Sequence, residues 1–237
     1  AVILTTGGIG GNHDLVRQNW PERLGKAPRE MVTGVPAYVD GSGLSIAADA
    51  GARLVNSDRM WHYTEGIQNW DPVWPGHGIR ILSAPSPMWF DALGRRLPAP
   101  YLPGYDTMGT LRHLRTTPDI SEYDHSWLIL NERIIAKEFA LSGSEQNPDI
   151  TSGSKVEVVK SRLAKGVPGP VQAFVDQGAD FVVADRIEDL VQKMNALTDE
   201  PLLDAAQVRK QIRDRDLQVA NPFSKDAQVQ GIHNSRK

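Results

Sequence analysis

The chain opens on an apolar run, Ala1-Val2-Ile3-Leu4, followed by Thr5-Thr6 and a glycine turn, Gly7-Gly8-Ile9-Gly10-Gly11-Asn12. An unbroken run of this kind fits a strand buried on both faces. The pattern next predicts a short helix over 14–20, with Asn12 or His13 near its start and Pro21 ending it, and a loop over 25–36. Residues 43–51 read as a helix with Leu44, Ala47 and Ala48 on one face and Gly51 as its C-terminal cap. Short strands are predicted over 53–56, 59–63, 78–83 and 88–90. Asp91-Ala92-Leu93-Gly94 reads as a hairpin turn with a return strand over 95–97. A short helix follows over 107–114, a strand over 125–130, and a helix over 131–139 with Ile134, Ile135 and Phe139 apolar. Residues 142–154 form a polar loop that contains Ser144-Glu145-Gln146-Asn147. Helices are predicted over 156–165, 171–178, 187–197 and 202–219, with a short strand over 180–184. In the third of these, Ile187, Leu190, Val191 and Met194 recur at helical spacing. Strands and helices mix without steady β-α-β alternation, so the fold class is α+β, a mixed small sheet with helices, rather than doubly wound.

Length and charge narrow the function. The 237 residues make one large domain or two small ones. With 26 basic and 29 acidic residues the net charge is −3, so no basic excess exists to neutralise phosphates and no nucleic-acid partner is expected. Cysteine is absent, which excludes disulfides, thiolate zinc sites and cysteine nucleophiles. The histidines show no metal-ligand spacing, so no metal is expected. No apolar stretch is long enough for a helical membrane span and no secretory pattern is present, so a cytoplasmic location is expected. The glycine cluster is not a G-x-G-x-x-G motif, because His13 stands where its last glycine would fall.

Four of the six tryptophans lie between Trp61 and Trp89, and eight of the 16 prolines between Pro72 and Pro118. The stretch Arg59 to Pro75 gathers three Trp, His62, Tyr63, Glu65 and Asp71. Two readings stand: a pocket for a flat or sugar-like ligand, or tryptophans that staple the fold with their N–H groups paired. Glu65 and Asp71 could form a glycosidase acid pair.

VILTTGGIGGN resembles the strand and turn V-L-A-T-G-G-x-G-x-N of flavoproteins of the fumarate reductase and succinate dehydrogenase type, a superfamily that includes the 3-ketosteroid dehydrogenases. Val39-Asp40-Gly41, leading into 43–52, resembles that superfamily's G-D-G…A-G-A return passage. DRMWHYTEGIQNWDPVWP, PSPMWFDALGRRLPAPYLPGYDT, EFALSGSEQNPD and GPVQAFVDQGADFVVAD resemble a bacterial branch known as FAD-binding dehydrogenases. The resemblance covers most of the chain. It implies an FAD-dependent oxidoreductase that moves hydride between flavin and an organic small-molecule substrate, with FAD as cofactor of the intact protein. It also implies a division into a remnant of the FAD-binding domain and return passage, 1–56, and a substrate-side capping domain, 57–237. The core-type opening strand and the uncapped C-terminus carry the further expectation of a piece of a larger flavoprotein. Its partner would be the remainder of its own chain, and alone it would bind FAD weakly and be inactive.

By the same resemblance Thr6, Gly7, Gly8, Asp40 and Gly41 are the cofactor-binding candidates, the alternative for the glycines being ordinary tight-turn geometry. Thr5 replaces the usual Ala and Val39 the first Gly of the return passage. Gly94-Arg95-Arg96-Leu97 matches the family's G-x-R-[FL]. The N-E and Arg that follow it in fumarate reductases are replaced by Pro98-Ala99-Pro100, which argues against fumarate or succinate. Steroid dehydrogenases use tyrosines as acid and base, and a tyrosine, with a pKa near 10, needs tuning to act as base near pH 7. The catalytic candidates are His62, Tyr63, Arg96 and Tyr105. A structural hydrogen bond is the competing role for His62, and a hairpin salt bridge for Arg96. Two other functions compete: a carbohydrate-binding or glycoside-hydrolysing module built on the Trp-rich stretch, and a scaffold module whose apolar face docks another subunit.

Overall fold

The computed structural model describes residues 2–143, 146–147, 151–156, 159–160 and 166–235. Among them the chain forms five short strands: β1 (Gly66–Gln68), β2 (Gly78–Ser83), β3 (Met88–Phe90), β4 (Trp127–Ile129) and β5 (Phe139–Leu141). The helices are α1 (His13–Gln18), α2 (Ser42–Asp49), α3 (Thr107–Thr116), α4 (Glu132–Glu138), α5 (Gly169–Gln177), α6 (Ile187–Asn195), α7 (Ala205–Val219) and α8 (Ala227–Ser235). Local chemistry starts them. The Asn12, Asp106, Asn131 and Asp204 side chains each accept a backbone N–H in the first turn of α1, α3, α4 and α7, at 3.0, 2.8, 3.0 and 2.7 Å.

Two small antiparallel sheets organise the apolar side chains, in agreement with the α+β class. The first has the order β1-β2-β5, with Ile67 opposite Ile79 and Ile81 opposite Leu141. Its buried face packs on α4 and α5 through Ile135, Val171 and the fully buried Phe174. The second pairs β3 with β4, Trp89 opposite Leu128. Met88, Phe90 and Ile129 there meet Val191 and Met194 of α6 and Val208 of α7.

The hairpin after β3 forms at the expected place. The Asp91 carboxylate accepts from the Leu93 and Arg95 N–H groups at 3.0 and 2.9 Å, and Gly94 takes φ +75°. The return segment pairs at one bridge, Phe90 to Arg96, with the Asp91 N–H donated to the Arg95 carbonyl at 2.9 Å and the Leu97 N–H to the Trp89 carbonyl at 2.8 Å. Arg96 turns to the C-terminal helix instead. Its guanidinium donates to both Asp226 oxygens at 2.6 and 3.0 Å and to Gln228 Oε1 at 2.7 Å. The Gln228 side-chain amide donates to the carbonyls of Pro85 and Pro87 at 2.7 and 2.5 Å. Burial opposes ionisation of Asp226, but the Arg96 hydrogen bond and the Val229 N–H outweigh it and hold the carboxyl below the usual range.

Several elements differ from the sequence reading. Residues 2–6 are exposed and have no strand partner among the described residues, and a doubly buried strand exists only where neighbours flank it. Residues 53–56 and 59–63 are irregular for the same reason, having no ladder to join. At 180–184 a side chain takes the place of a strand: the Asp180 carboxylate accepts the Gln68 backbone N–H at 2.7 Å, filling the edge donor of β1. The helix expected to Phe139 stops at Glu138, and Phe139 begins β5. β1 and α8 had no sequence signal: β1 buries a single side chain, Ile67, and α8 buries Gln228 alongside Val229 and Ile232. The 156–165 helix lies mostly outside the described residues.

The Arg96 clamp yields the first prediction. Arg96→Met keeps the aliphatic stem but leaves Asp226 and Gln228 without their donor. Urea unfolding is expected to show a loss of about 1–3 kcal/mol.

Candidate functional site

The glycine turn 7–11 lies against the segment 39–43, some 30 residues away in sequence. The Gly11 N–H donates to the Val39 carbonyl at 2.8 Å, and the Asn12 amide reaches the Asp40 carbonyl at 3.5 Å. Close approach is possible because side chains are missing. A Cβ on Gly11 would fall 2.4 Å from the Pro36 carbonyl oxygen, and one on Gly43 would strike the Thr6 hydroxyl. Gly7 and Gly41 take φ +84° and +87°, where other residues are strained. Asp40 caps the return passage, its Oδ1 accepting the Ser42 N–H at 2.9 Å, and that bond holds its carboxyl below the usual range. The five cofactor candidates thus come together in one place. At Gly8 the turn is open: a Cβ there would meet nothing within 4 Å. The Gly7 and Gly8 N–H groups find no acceptor among the described residues.

Gly8 sits on the wall of a wide, half-open cleft with a volume of about 2400 Å³. That is several times the roughly 300–1,000 Å³ of an ordinary small-molecule pocket. His62 and Tyr63 line the same cleft. The His62 ring packs on Trp20 with centroids 4.5 Å apart, and its Nε2 is buried without a partner among the described residues. Burial first, and then the Arg23 charge, lower its pKa. The Tyr63 ring carries the Arg80 guanidinium 3.8 Å above its centroid.

Arg96 and Tyr105 do not line this cleft. Arg96 is held by Asp226 and Gln228, and the exposed Tyr105 has its hydroxyl beside Gly231 of α8. Trp74 and Trp89 follow the fold-stapling reading, with N–H donated to the Thr33 carbonyl at 3.3 Å and to Ser126 Oγ at 2.9 Å. Glu65 is buried and accepts from Thr107 Oγ1 at 2.9 Å, while Asp71 is exposed. In the polar loop, Ser144 and Glu145 lie outside the described residues; Gln146 is buried and Asn147 donates to the Leu141 and Gly143 carbonyls.

Sequence reading missed an aromatic wall of the cleft. Tyr123, His125 and Trp127 alternate along an extended segment, so their rings share one face. Their centroids stand 6.1 and 5.2 Å apart, edge to face. All three line the cleft, and the Trp127 Nε1 is buried without a partner among the described residues. Burial lowers the His125 pKa, against the opposing pull of Asp124. The alternation aromatic-x-His-x-aromatic was the available signal. Buried Arg115 fixes the wall by donating to the Tyr123 carbonyl and to Asp124, both at 2.9 Å.

No group of three or more acidic or histidine side chains is placed to hold a metal among the described residues. None of their helices is long and apolar enough to cross a membrane. The fold is α+β, and its glycine turn carries two backbone N–H groups without an acceptor among the described residues beside a wide cleft. The chain belongs to the FAD binding domain family, whose sequence profile matches residues 1–237. It is 58% identical over 236 residues to a KsdD-like steroid dehydrogenase of Mycolicibacterium smegmatis, covering 100% of this chain and 42% of that protein. It is 52% identical over 237 residues to KsdD-like steroid dehydrogenases from two strains of Mycobacterium tuberculosis, covering 100% of this chain and 41% of each. The chain therefore spans about two fifths of the length of these curated relatives. No solved structure matches it.

The histidines make stability depend on pH. His13, His62, His113 and His125 all have pKa values lowered from 6.5, chiefly by burial. Below 6.5 the unfolded chain binds more protons than the folded one, so stability is full above that pH and falls as pH drops through the folded values. Denaturation midpoints are expected to decline between pH 7 and pH 5, and His62→Gln is expected to reduce that slope.

Proposed function

We propose that this chain is part of an FAD-dependent dehydrogenase acting on a steroid-like, ring-fused small molecule, with the remainder of a longer flavoprotein chain as its partner. One observation carries the reading: the open Gly8, whose own N–H and that of Gly7 find no acceptor among the described residues, borders the cleft lined by His62 and Tyr63. The family match and the relatives' names support it, and a space of about 2400 Å³ has room for a dinucleotide and a substrate together. The division into 1–56, a remnant of the FAD-binding domain with its return passage, and 57–237, a capping domain, belongs to the same proposal. In its support, both hydrophobic clusters draw their residues from position 67 onward.

The residues present fit the cofactor. Gly7 and Gly8 would offer their N–H groups to it, with Thr6, Asp40 and Gly41 holding the turn and return passage in register. Bound there, FAD supplies hydride exchange with a C–H or C=C bond of the substrate. The chain's own residues handle the rest. His62, desolvated and with a free Nε2, is suited to hold or pass a proton at that atom. Tyr63 shares the wall, and its phenol is a second proton-handling candidate. Tyr123, His125 and Trp127 give a flat ligand an aromatic surface and exclude water from it. Arg96 and Tyr105 act as positioning residues, joining the hairpin and the loop before α3 to α8.

No observation supports the carbohydrate-binding or glycoside-hydrolysing alternative: Trp74 and Trp89 have their N–H groups paired within the fold, and Glu65 is held by Thr107.

Gly8→Val tests the cofactor reading in the full-length protein. The added side chain enters open space, so stability is expected to change by no more than about 0.5 kcal/mol. Bound flavin, read from visible absorbance per polypeptide, is expected to fall sharply. Unchanged flavin content would remove Gly8 from the site, and a wild-type protein that stays colourless with FAD supplied would remove the reading.

A further inference from the structure

Arg80 is a cleft cation whose guanidinium finds no hydrogen-bond acceptor among the described residues. It lies on β2, the middle strand of the first sheet, between the buried Ile79 and Ile81, and all three border the cleft. Its backbone is fixed on both sides. It pairs with Gly66 of β1, its N–H donates to Ser142 Oγ at 3.2 Å, and its carbonyl accepts the Ser142 N–H at 2.9 Å. The partner across the ladder, Gly66, has no side chain to cover it.

The side chain is oriented but not satisfied. Its guanidinium carbon stacks 3.8 Å above the Tyr63 ring. Guanidinium N–H groups lie in the plane of the group, so stacking on a ring leaves every donor to in-plane acceptors. None is found among the described residues. The nearest carboxylate, Glu65, stands 3.9 Å from Nε, beyond hydrogen-bond reach, and its oxygens already accept from Thr107 and Thr64 at 2.9 and 3.4 Å. Nε is buried with no partner, while the side chain as a whole is 30% exposed. Glu65 occupies the Nε side, so the terminal pair of nitrogens is the fork left open.

We propose that Arg80 is a carboxylate-binding residue of the cleft, its terminal nitrogens pairing end-on with a carboxylate carried by the ligand. The proposal rests on the reading of the cleft as the substrate site and narrows the substrate to a ring-fused acid. A carboxylate matches the fork in planarity and spacing, whereas a neutral carbonyl engages it less completely and without charge assistance. Stacking on Tyr63 holds the fork before the ligand arrives, which lowers the ordering cost of binding. The aromatic wall of Tyr123, His125 and Trp127 receives the apolar remainder.

The test is calorimetric titration of the full-length protein with cholate and with cholate methyl ester. The two share a ring system and differ in charge. The acid is expected to bind roughly tenfold to hundredfold more tightly than the ester. Arg80→Gln is expected to abolish that preference, and Arg80→Lys to keep part of it. Tyr63→Leu, which removes the stacking face, is expected to reduce it in a protein that retains the charge. Equal affinities for acid and ester in the wild type, binding of neither, or an acid preference that survives Arg80→Gln would overturn the proposal. So would Arg80→Gln losing FAD with no change in the acid preference, which would assign the fork to the cofactor's phosphates. Calorimetry needs no flavin signal, so a protein that binds the acid through Arg80 without binding FAD would refute the dehydrogenase reading and leave this site standing.

Discussion

The alternation of side chains along β2 connects the core to the cleft. Ile79 and Ile81 are buried in the first hydrophobic cluster, and Arg80 between them keeps a partly exposed side chain. β2 is paired on both edges, so a slip of one residue would move both isoleucines out of the core and the arginine into it. Burial of two isoleucines thus fixes the placement of a charged group. The same strand begins at Gly78, whose N–H donates to the Thr33 carbonyl at 2.8 Å, while the Thr33 N–H donates to the Gly76 carbonyl at 2.8 Å. That exchange ties the glycine-rich N-terminal part to the sheet.

Much of this was legible because it is encoded locally. The cap residues Asn12, Asp106, Asn131 and Asp204 announce their helices within four residues, and Asp91-Ala92-Leu93-Gly94 encodes its own turn. The glycine turn and return passage were readable as motifs. Their mutual contact was not, because the Gly11 to Val39 hydrogen bond joins segments with no pattern in common. Strands were the weak point. Residues 2–6, 53–56 and 59–63 have strand-like composition, yet a strand is defined by its neighbour, and composition says nothing about neighbours. β1 shows the converse: three residues with a single buried side chain became a strand because β2 lies beside them.

The candidate site divides along the same line. His62 and Tyr63 come from a long, specific motif and do face the cleft. Arg96 comes from an equally recognisable motif but is consumed by contacts 130 and 132 residues away. Sequence shows that an arginine is present and leaves open whether its donors are already taken. Arg80 is the mirror case, unremarkable in sequence and conspicuous only once its surroundings lack an acceptor. The aromatic wall lay in plain view as alternate residues, and what hid it was the absence of any rule linking Tyr123-Asp124-His125-Ser126-Trp127 to a cavity.

The Arg96 clamp also bears on how the chain reaches this structure. The hairpin after β3 can form early, from neighbours within a few residues. Its tie to Asp226 must wait until the distant helix has been synthesised and has come back across the molecule, and the Gln228 contacts with Pro85 and Pro87 wait with it. Pairings of such long sequence separation are slow to close. During that interval the β3–β4 face, whose helical cover on α6 and α7 is also made late, stands open to other nascent chains.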